Sequence, residues 1–389
     1  MIAGVCFIVK ILIATDSFKG CCSTLEAANE FKKGVLRVFP DASVTIIPIA
    51  DGGEGTVDAV IGALGGSLAY AQVSGPLGES VNAAFGLISK SKAVIEMAAA
   101  SGLTLIKEKD PLKATTYGTG QLILAALDLG CTDIFIGIGG SATNDGGAGM
   151  AEALGARFLD SHGNSVPPGG GSLYLIDKID VLGMDSRLKN VNITVMSDVE
   201  NPLCGEKGAS VVFGPQKGAV PDQVKLLDFG LSHLADKVRE LLGADYSDLP
   251  GAGAAGGLGF GLMAFADASL RPGIETMLDI AGFDNLASEA DLIITGEGSI
   301  DGQSVYGKAP VGIARRAKKY GKPVVAVTGA IGEGAKSIYE HGIDALISST
   351  CRPMSVEEAV SRWDELLADS AERAMRLIKT GVGLRGLNI

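Results

Sequence analysis

Asp133-Ile134-Phe135-Ile136, then Gly137-Ile138-Gly139-Gly140-Ser141-Ala142-Thr143-Asn144-Asp145-Gly146-Gly147-Ala148-Gly149, then Met150-Ala151-Glu152-Ala153-Leu154, reads as a short apolar strand, a glycine-rich loop and the opening of a helix. That order is a building block of an α/β fold. Backbone N–H groups without side chains, set beside the positive end of a helix, suit an anion. Ser141, Thr143 and Asn144 add neutral hydrogen-bonding groups that match phosphate oxygens. Asp145 breaks the pattern, because a carboxylate repels phosphate unless it binds a metal ion or takes a proton. The loop therefore points to chemistry rather than to simple storage of an anion. A tight turn capped by Asn144 or Asp145 is the plainer alternative, but a loop spanning 137–149 is long for that.

The same alternation recurs on both sides. Residues 9–15 form a continuous apolar run of the kind buried on both faces of a parallel sheet, ending on Asp16-Ser17-Phe18-Lys19. Ser23 or Thr24 caps the following helix, with Glu26 in its first turn. A second strand over 44–49 is closed by Asp51-Gly52-Gly53-Glu54-Gly55-Thr56 and a helix to about 64. Shorter strands are predicted at 73–77, 81–87 and 93–97, and another at 191–196 ending in Ser197-Asp198. A helix over 221–242 precedes a second glycine-dense segment at 251–261. Strands at 291–295, 324–328 and 345–347 then alternate with helices at 308–320 and 355–378. This texture predicts one α/β domain made of both ends, 1–65 and 288–389, with a second α/β domain carrying the glycine-rich loop inserted at 66–287.

Composition narrows the class. A chain of 389 residues with 47% hydrophobic and 20% charged residues exceeds one ordinary core and fits a two-domain α/β enzyme. A net charge of -12 argues against a nucleic-acid surface. Six scattered cysteines offer no zinc spacing and are expected as free thiols in a reducing cytoplasm. The apolar run 2–13 lacks a basic leader and a cleavage site, so neither a signal peptide nor a membrane span is expected.

Gly137-x-Gly139-x-x-Ala142, with Asp160 downstream, fits a dinucleotide fingerprint, yet 143–149 prolong the loop where a Rossmann helix should begin. The stretch from Gly302 to Lys308-Ala309 misses a Walker A loop by placing Ala309 where Ser or Thr would bind magnesium. Asp16, Asp51 and Glu297 or Asp301 each follow a predicted strand, where ligands of open α/β sheets gather. Lys19, Lys217 and Lys308 can neutralise carboxylate or phosphate charge, whereas His162, His233 and His341 fall at surface positions.

Thr15-Asp16-Ser17-Phe18-Lys19-Gly20, Asp51-Gly52-Gly53-Glu54-Gly55-Thr56, the 139–147 loop, Ser197-Asp198-Val199-Glu200-Asn201-Pro202, Gly214-Pro215-Gln216-Lys217-Gly218 and Gly296-Glu297-Gly298-Ser299-Ile300-Asp301 closely resemble the bacterial glycerate kinase family. Thr15 stands where that family often has Pro, and 1–8 extend beyond its usual start. The resemblance implies ATP-dependent phosphorylation of D-glycerate to 2-phosphoglycerate, with 3-phosphoglycerate as the alternative product. It also implies two α/β domains with a cleft between them, one a flavodoxin-like doubly wound parallel sheet and one with a mixed sheet. On that footing Gly139, Gly140, Ser141, Thr143, Asn144, Gly146 and Gly147 are expected to hold ATP, and Asp198 or Asp145 to hold Mg2+. Asp16, Ser17, Lys19, Asp51, Glu54, Asp301 and Lys308 are expected around glycerate, with Asp198 as base and Lys217 on the transferring phosphoryl group. A nicotinamide-dependent hydroxy-acid oxidoreductase and a non-catalytic anion-binding protein are the rival readings.

Overall fold

The computed structural model describes residues 8–50, 52–53, 55–302, 304 and 308–383. Two compact units emerge, one from the described residues of 1–51, 62–64 and 274–389, the other from those of 52–61 and 65–273.

Five parallel strands form the sheet of the first unit, in the order Ala345–Ser348, Val324–Ile331, Leu292–Ile300, Lys10–Thr15, Ser43–Pro48. Counted in chain order from the other edge this is 2-1-3-4-5, the flavodoxin-like order, which reverses between Lys10–Thr15 and Leu292–Ile300. Ile11 and Ile13 pack with Phe31, Val35, Leu367 and Ala371 under the helices Thr24–Val38 and Trp363–Gly383. Leu12 and Ala14 point the other way, among Leu278, Phe283, Ile313 and Ala317. Burial on both faces is why this strand reads as an unbroken apolar run, each large side chain contributing roughly 1.5–3 kcal/mol. Ser23 caps the first helix in a reciprocal box with Glu26.

The C-terminal boundary between the units falls at 273/274 rather than at the expected 287/288, and the N-terminal one at 51/52 rather than 65/66, with 62–64 grouped again with the first unit. The helices Gly273–Ile280 and Phe283–Glu289 bury Ile274, Leu278, Phe283 and Ala287 in the first unit's core. Arg316 fastens both to the helix Ala309–Lys318, with Nε 2.7 Å from Asp284 Oδ1 and Nη1 3.2 Å from Glu275 Oε2. The expected long final helix is two, Val356–Ser361 and Trp363–Gly383, broken at Arg362 (φ -120°, ψ 22°).

A mixed six-stranded sheet runs through the second unit. Ser269–Arg271, Asn192–Met196, Asp133–Gly137 and Lys92–Glu96 are parallel neighbours, and Ser80–Ser89 and Ser67–Ser74 continue the sheet antiparallel. The strand expected at 73–77 instead ends at Ser74, because Gly75-Pro76-Leu77-Gly78 forms the turn of the hairpin. In the second glycine-dense segment Ala255, Gly256 and Gly257 adopt left-handed angles, so the regular helix begins at Leu258. Among the described residues no helix is long and apolar enough to cross a membrane, and the five cysteines are free thiols.

Candidate active site

At the point where the first unit's sheet reverses, the carboxyl ends of its strands open on a cavity of about 870 Å³. The register pairs Ile13 with Ile294, and three residues further along each strand Asp16 comes level with Glu297. Asp16 N donates to Gly296 O at 3.0 Å and Thr15 Oγ1 donates to the same carbonyl at 2.8 Å. Two carboxylates are thereby fixed side by side on the cavity floor, with only 7% and 8% of Asp16 and Glu297 exposed.

Glu297 lies in a compact polar group. Ser304 Oγ, fully buried, is 3.2 Å from Glu297 Oε1 and 3.3 Å from Asp301 Oδ1, and it accepts from Lys308 Nζ at 3.0 Å. Lys308 Nζ stands 3.5 Å from Glu297 Oε1 and donates to Ser299 O at 3.4 Å. Burial pushes the Glu297 carboxyl up to about 7; Lys308 and Ser304 pull it down and the charge of Asp16 adds to the rise. Asp16 Oδ1 accepts from Ser17 N at 2.6 Å. Lys19 and Lys308, the latter at the N-cap of Ala309–Lys318, bring positive charge to the same wall.

Of the residues expected around the acceptor substrate, Asp16, Ser17, Lys19 and Lys308 line this one cavity, and Asp301 joins them through Ser304. Asp51 and Glu54 lie outside the described residues. Strand-end position alone does not separate Glu297 from Asp301, but burial does. Glu297 sits within the strand Leu292–Ile300, whereas the sequence places the strand's end at Thr295. Ser299 stood only within the 296–301 motif and Ser304 only within the Walker-like stretch, neither with a role of its own.

The glycine-rich loop of the second unit has a different character. Its helix, Ala148–Ala153, is short, and Gly146 N and Gly147 N, two of the amides expected to meet phosphate, are already engaged. Gly147 N and Gly149 N donate to Asp145 at 3.2 and 3.3 Å, Thr116 N at 2.7 Å, and Thr116 Oγ1 lies 2.9 Å from Oδ2. The anion bound by this loop is its own aspartate. Asp145 is fully buried, and desolvation raises its carboxyl above the usual range against those hydrogen bonds. Lys217, also buried, donates to Thr143 O at 2.6 Å; burial pushes its ammonium down to about 7, with the charge of Asp145 holding it up.

Thr143, Asn144, Gly146 and Gly147 face the interior, so the bare loop expected for ATP reduces to half-buried Gly139, exposed Gly140 and the edge of Ser141. Asn144 Nδ2 donates to Ser210 Oγ at 2.9 Å, while Thr143 Oγ1 and Asn144 Oδ1 are buried without a hydrogen-bond partner among the described residues. The glycines are spent on packing against the second glycine-dense segment. Gly146 N donates to Gly256 O at 3.0 Å, and a Cβ on Gly147 (φ 76°) would stand 2.9 Å from Gly261 Cα. Gly147→Ala is expected to cost about 1–3 kcal/mol, read as a lowered thermal midpoint.

Asp198 stands exposed at the end of Asn192–Met196, its Oδ1 accepting from Gly273 N at 3.0 Å. Asp160, placed by the dinucleotide fingerprint, instead organises an exposed turn by accepting from His162 N and Asn164 N, both at 2.9 Å. That geometry is an Asx-type turn and offers no ribose contact.

The sequence profile of the glycerate kinase family matches residues 11–379. The chain belongs to the glycerate kinase family. Glycerate kinase from Halalkalibacterium halodurans is 52% identical over 93% of this chain and 96% of its own length. Glycerate 2-kinase from Escherichia coli K12 is 50% identical over 97% of this chain and 99% of its own. A crystal structure from Salmonella typhimurium LT2, assigned as glycerate kinase 2, superposes with a TM-score of 0.89 at 46% identity, covering 97% of this chain and 100% of that one.

The protein is thus a kinase of the glycerate kinase family, and its residues bear on how the parts of phosphoryl transfer are filled. Among the described residues no group of three or more His, Cys, Asp or Glu side chains is placed to hold a metal ion. Magnesium in kinases needs only one or two protein carboxylates, since phosphates supply other ligands. Asp145 does not fit that task, its carboxylate being enclosed and saturated by donors. Exposed Asp198 does fit it.

Proposed function

We propose that this protein transfers the γ-phosphoryl group of ATP to the 2-hydroxyl of D-glycerate, at the polar end of the first unit's cavity. The observation that carries the reading is the buried Glu297 carboxyl beside Asp16, Ser304 and Lys308, with lysine charge on the same wall. A carboxyl that titrates near neutrality is matched to accepting a proton from an alcohol. The Escherichia coli relative's assignment as a glycerate 2-kinase supports the choice of hydroxyl.

Lys19 and Lys308 neutralise the substrate carboxylate and the charge spread over the transferring group. Asp16 and Ser17 orient the glycerate hydroxyls. As the 2-hydroxyl oxygen bonds to the γ-phosphorus, the bond from phosphorus to the β,γ-bridging oxygen breaks and ADP departs with that electron pair. The hydroxyl proton passes to Glu297, which we prefer to Asp198 as base. Asp198 is left as the proposed magnesium ligand, and the metal, when bound, neutralises phosphate charge. Buried Lys217 and Asp145 shape the loop of the second unit instead of meeting the phosphoryl group. The free thiols are consistent with work in a reducing cytoplasm.

³¹P NMR of the purified protein with magnesium, ATP and D-glycerate tests this directly. The expected product shows a phosphomonoester resonance split into a doublet by the single proton on C2, with ADP appearing in step. A triplet from the two C3 protons would make 3-phosphoglycerate the product. Intact ATP in the presence of folded protein would overturn the reading.

A further inference from the structure

We infer that the apolar half of the first unit's cavity seats the nucleoside of the phosphoryl donor, with Trp363, Met354, Val356, Ala359 and Val360 walling a purine base. This rests on the reading of the protein as an ATP-dependent kinase and adds where the base is held. A three-carbon hydroxy acid fills only a corner of about 870 Å³ and has no apolar surface to set against such a wall. A purine nucleotide has both the bulk and the flat, weakly polar face.

The wall is uncovered in a way that core side chains are not. Val356 is 75% exposed and Val360 38%, although both lie on the short helix that borders the cavity. Trp363 adds an indole face for stacking. Next to it, Ser348, Ser349 and Thr350 supply polar groups for the edge of a base. Their loop is braced from behind, because Arg373 Nη2 donates to Ser348 O and Ser349 O at 3.1 and 3.2 Å. The other end of the same cavity carries Lys308 and Lys19, charge that suits a polyphosphate. An apolar slot that leads to Lys19 and Lys308, beside the floor carboxylates Asp16 and Glu297, follows a nucleotide from base to phosphate. No comparable slot is needed at the 137–149 loop, where Gly147 N and Gly149 N are held by Asp145.

The test uses the full-length protein. Trp363 is the chain's single tryptophan, so its emission reports on this cavity alone. ADP with magnesium is expected to change that emission saturably. Ala359→Arg, which drives a long charged side chain into the wall, is expected to abolish the change and raise KM for ATP about tenfold or more, with KM for D-glycerate within about twofold of wild type. Val360→Asp, at an exposed position on the same wall, provides the same reading if the first variant does not fold. A folded variant that keeps the wild-type KM for ATP overturns the inference while the kinase reading stands. If wild-type protein leaves D-glycerate unphosphorylated yet binds ADP, and the variants lose that binding, the nucleoside site stands and the substrate reading falls. Wild-type emission unmoved by ADP overturns the site.

Discussion

Glu297→Gln is expected to lower kcat for D-glycerate phosphorylation by about 10²–10⁴-fold, the usual worth of a general base, while leaving the protein folded. Glutamine keeps the volume and one acceptor for Ser304 Oγ, which lies 3.2 Å from Glu297 Oε1, so the polar group around Ser304 and Lys308 is preserved. What is lost is the ability to take a proton. The wild-type rate should therefore climb through an acid limb near pH 7, where the buried carboxyl ionises, and the variant should lack that limb. The groups facing Glu297 are Asp16, Lys308, Ser304 and, through Ser304, Asp301. Asp16 and Lys308 act on the limb in opposite directions.

Stability gives an independent check with a definite sign. The folded carboxyl titrates at about 7 and its ordinary value is 4.5, so between these pH values the unfolded chain has lost the proton that the folded chain still holds. This contribution to stability is complete below pH 4.5 and is lost as pH rises through 7. Glu297→Gln has no such loss, so its melting temperature should gain on wild type across that window and hold the difference above it. Near-normal kcat in the variant, or an acid limb that survives, would remove Glu297 from the base role.

Much of the first unit was legible because its strands are covered on both faces. Ile11 to Ala14 are buried side by side, which forces a continuous apolar run that no amphipathic helix imitates. The Ser23 to Glu26 box was legible for a similar reason, being a local pattern with a local cause. The boundary at 273 was not, since Gly273–Ile280 carries the same periodicity whichever unit it packs against. Glu297 was named only as an alternative to Asp301, for a subtler reason. Two glycines, Gly296 and Gly298, read as the end of a strand, but here they continue it: Gly296 pairs with Val327, and Ser299 with Ala330. The acid thus lies inside the sheet's edge and not in the loop beyond it. The glycine-rich loop was misleading in its chemistry because a missing Cβ serves two purposes. It lets a backbone approach phosphate, and equally it lets the 146–147 backbone meet Gly256, Gly257 and Gly261. Only the partner distinguishes the two, and the partner lies about a hundred residues away in the chain, beyond any local pattern.

A second large effect falls on the loop's own aspartate. Asp145→Ala is expected to destabilise the second unit by about 3–5 kcal/mol, the cost of breaking a buried charge network by removing one member. Four donor groups lose their acceptor at once: Thr116 N, Thr116 Oγ1, Gly147 N and Gly149 N. Thr116 Oγ1 also accepts from Met150 N at 2.9 Å, so the loss reaches the helix Ala148–Ala153. Lys217 would then remain buried without the carboxylate that supports its charge, held only by Thr143 O. Asp145→Asn should cost less, because one acceptor oxygen survives, though its amide turns donors toward donors. Combining Asp145→Asn with Lys217→Met should recover part of the loss, since the double variant no longer buries an isolated ammonium. Urea unfolding followed by far-UV circular dichroism gives the stability change, and hydrogen exchange over 137–153 places it. Were Asp145 instead an open metal or phosphate ligand, its alanine variant would unfold within about 1 kcal/mol of wild type and lose only activity.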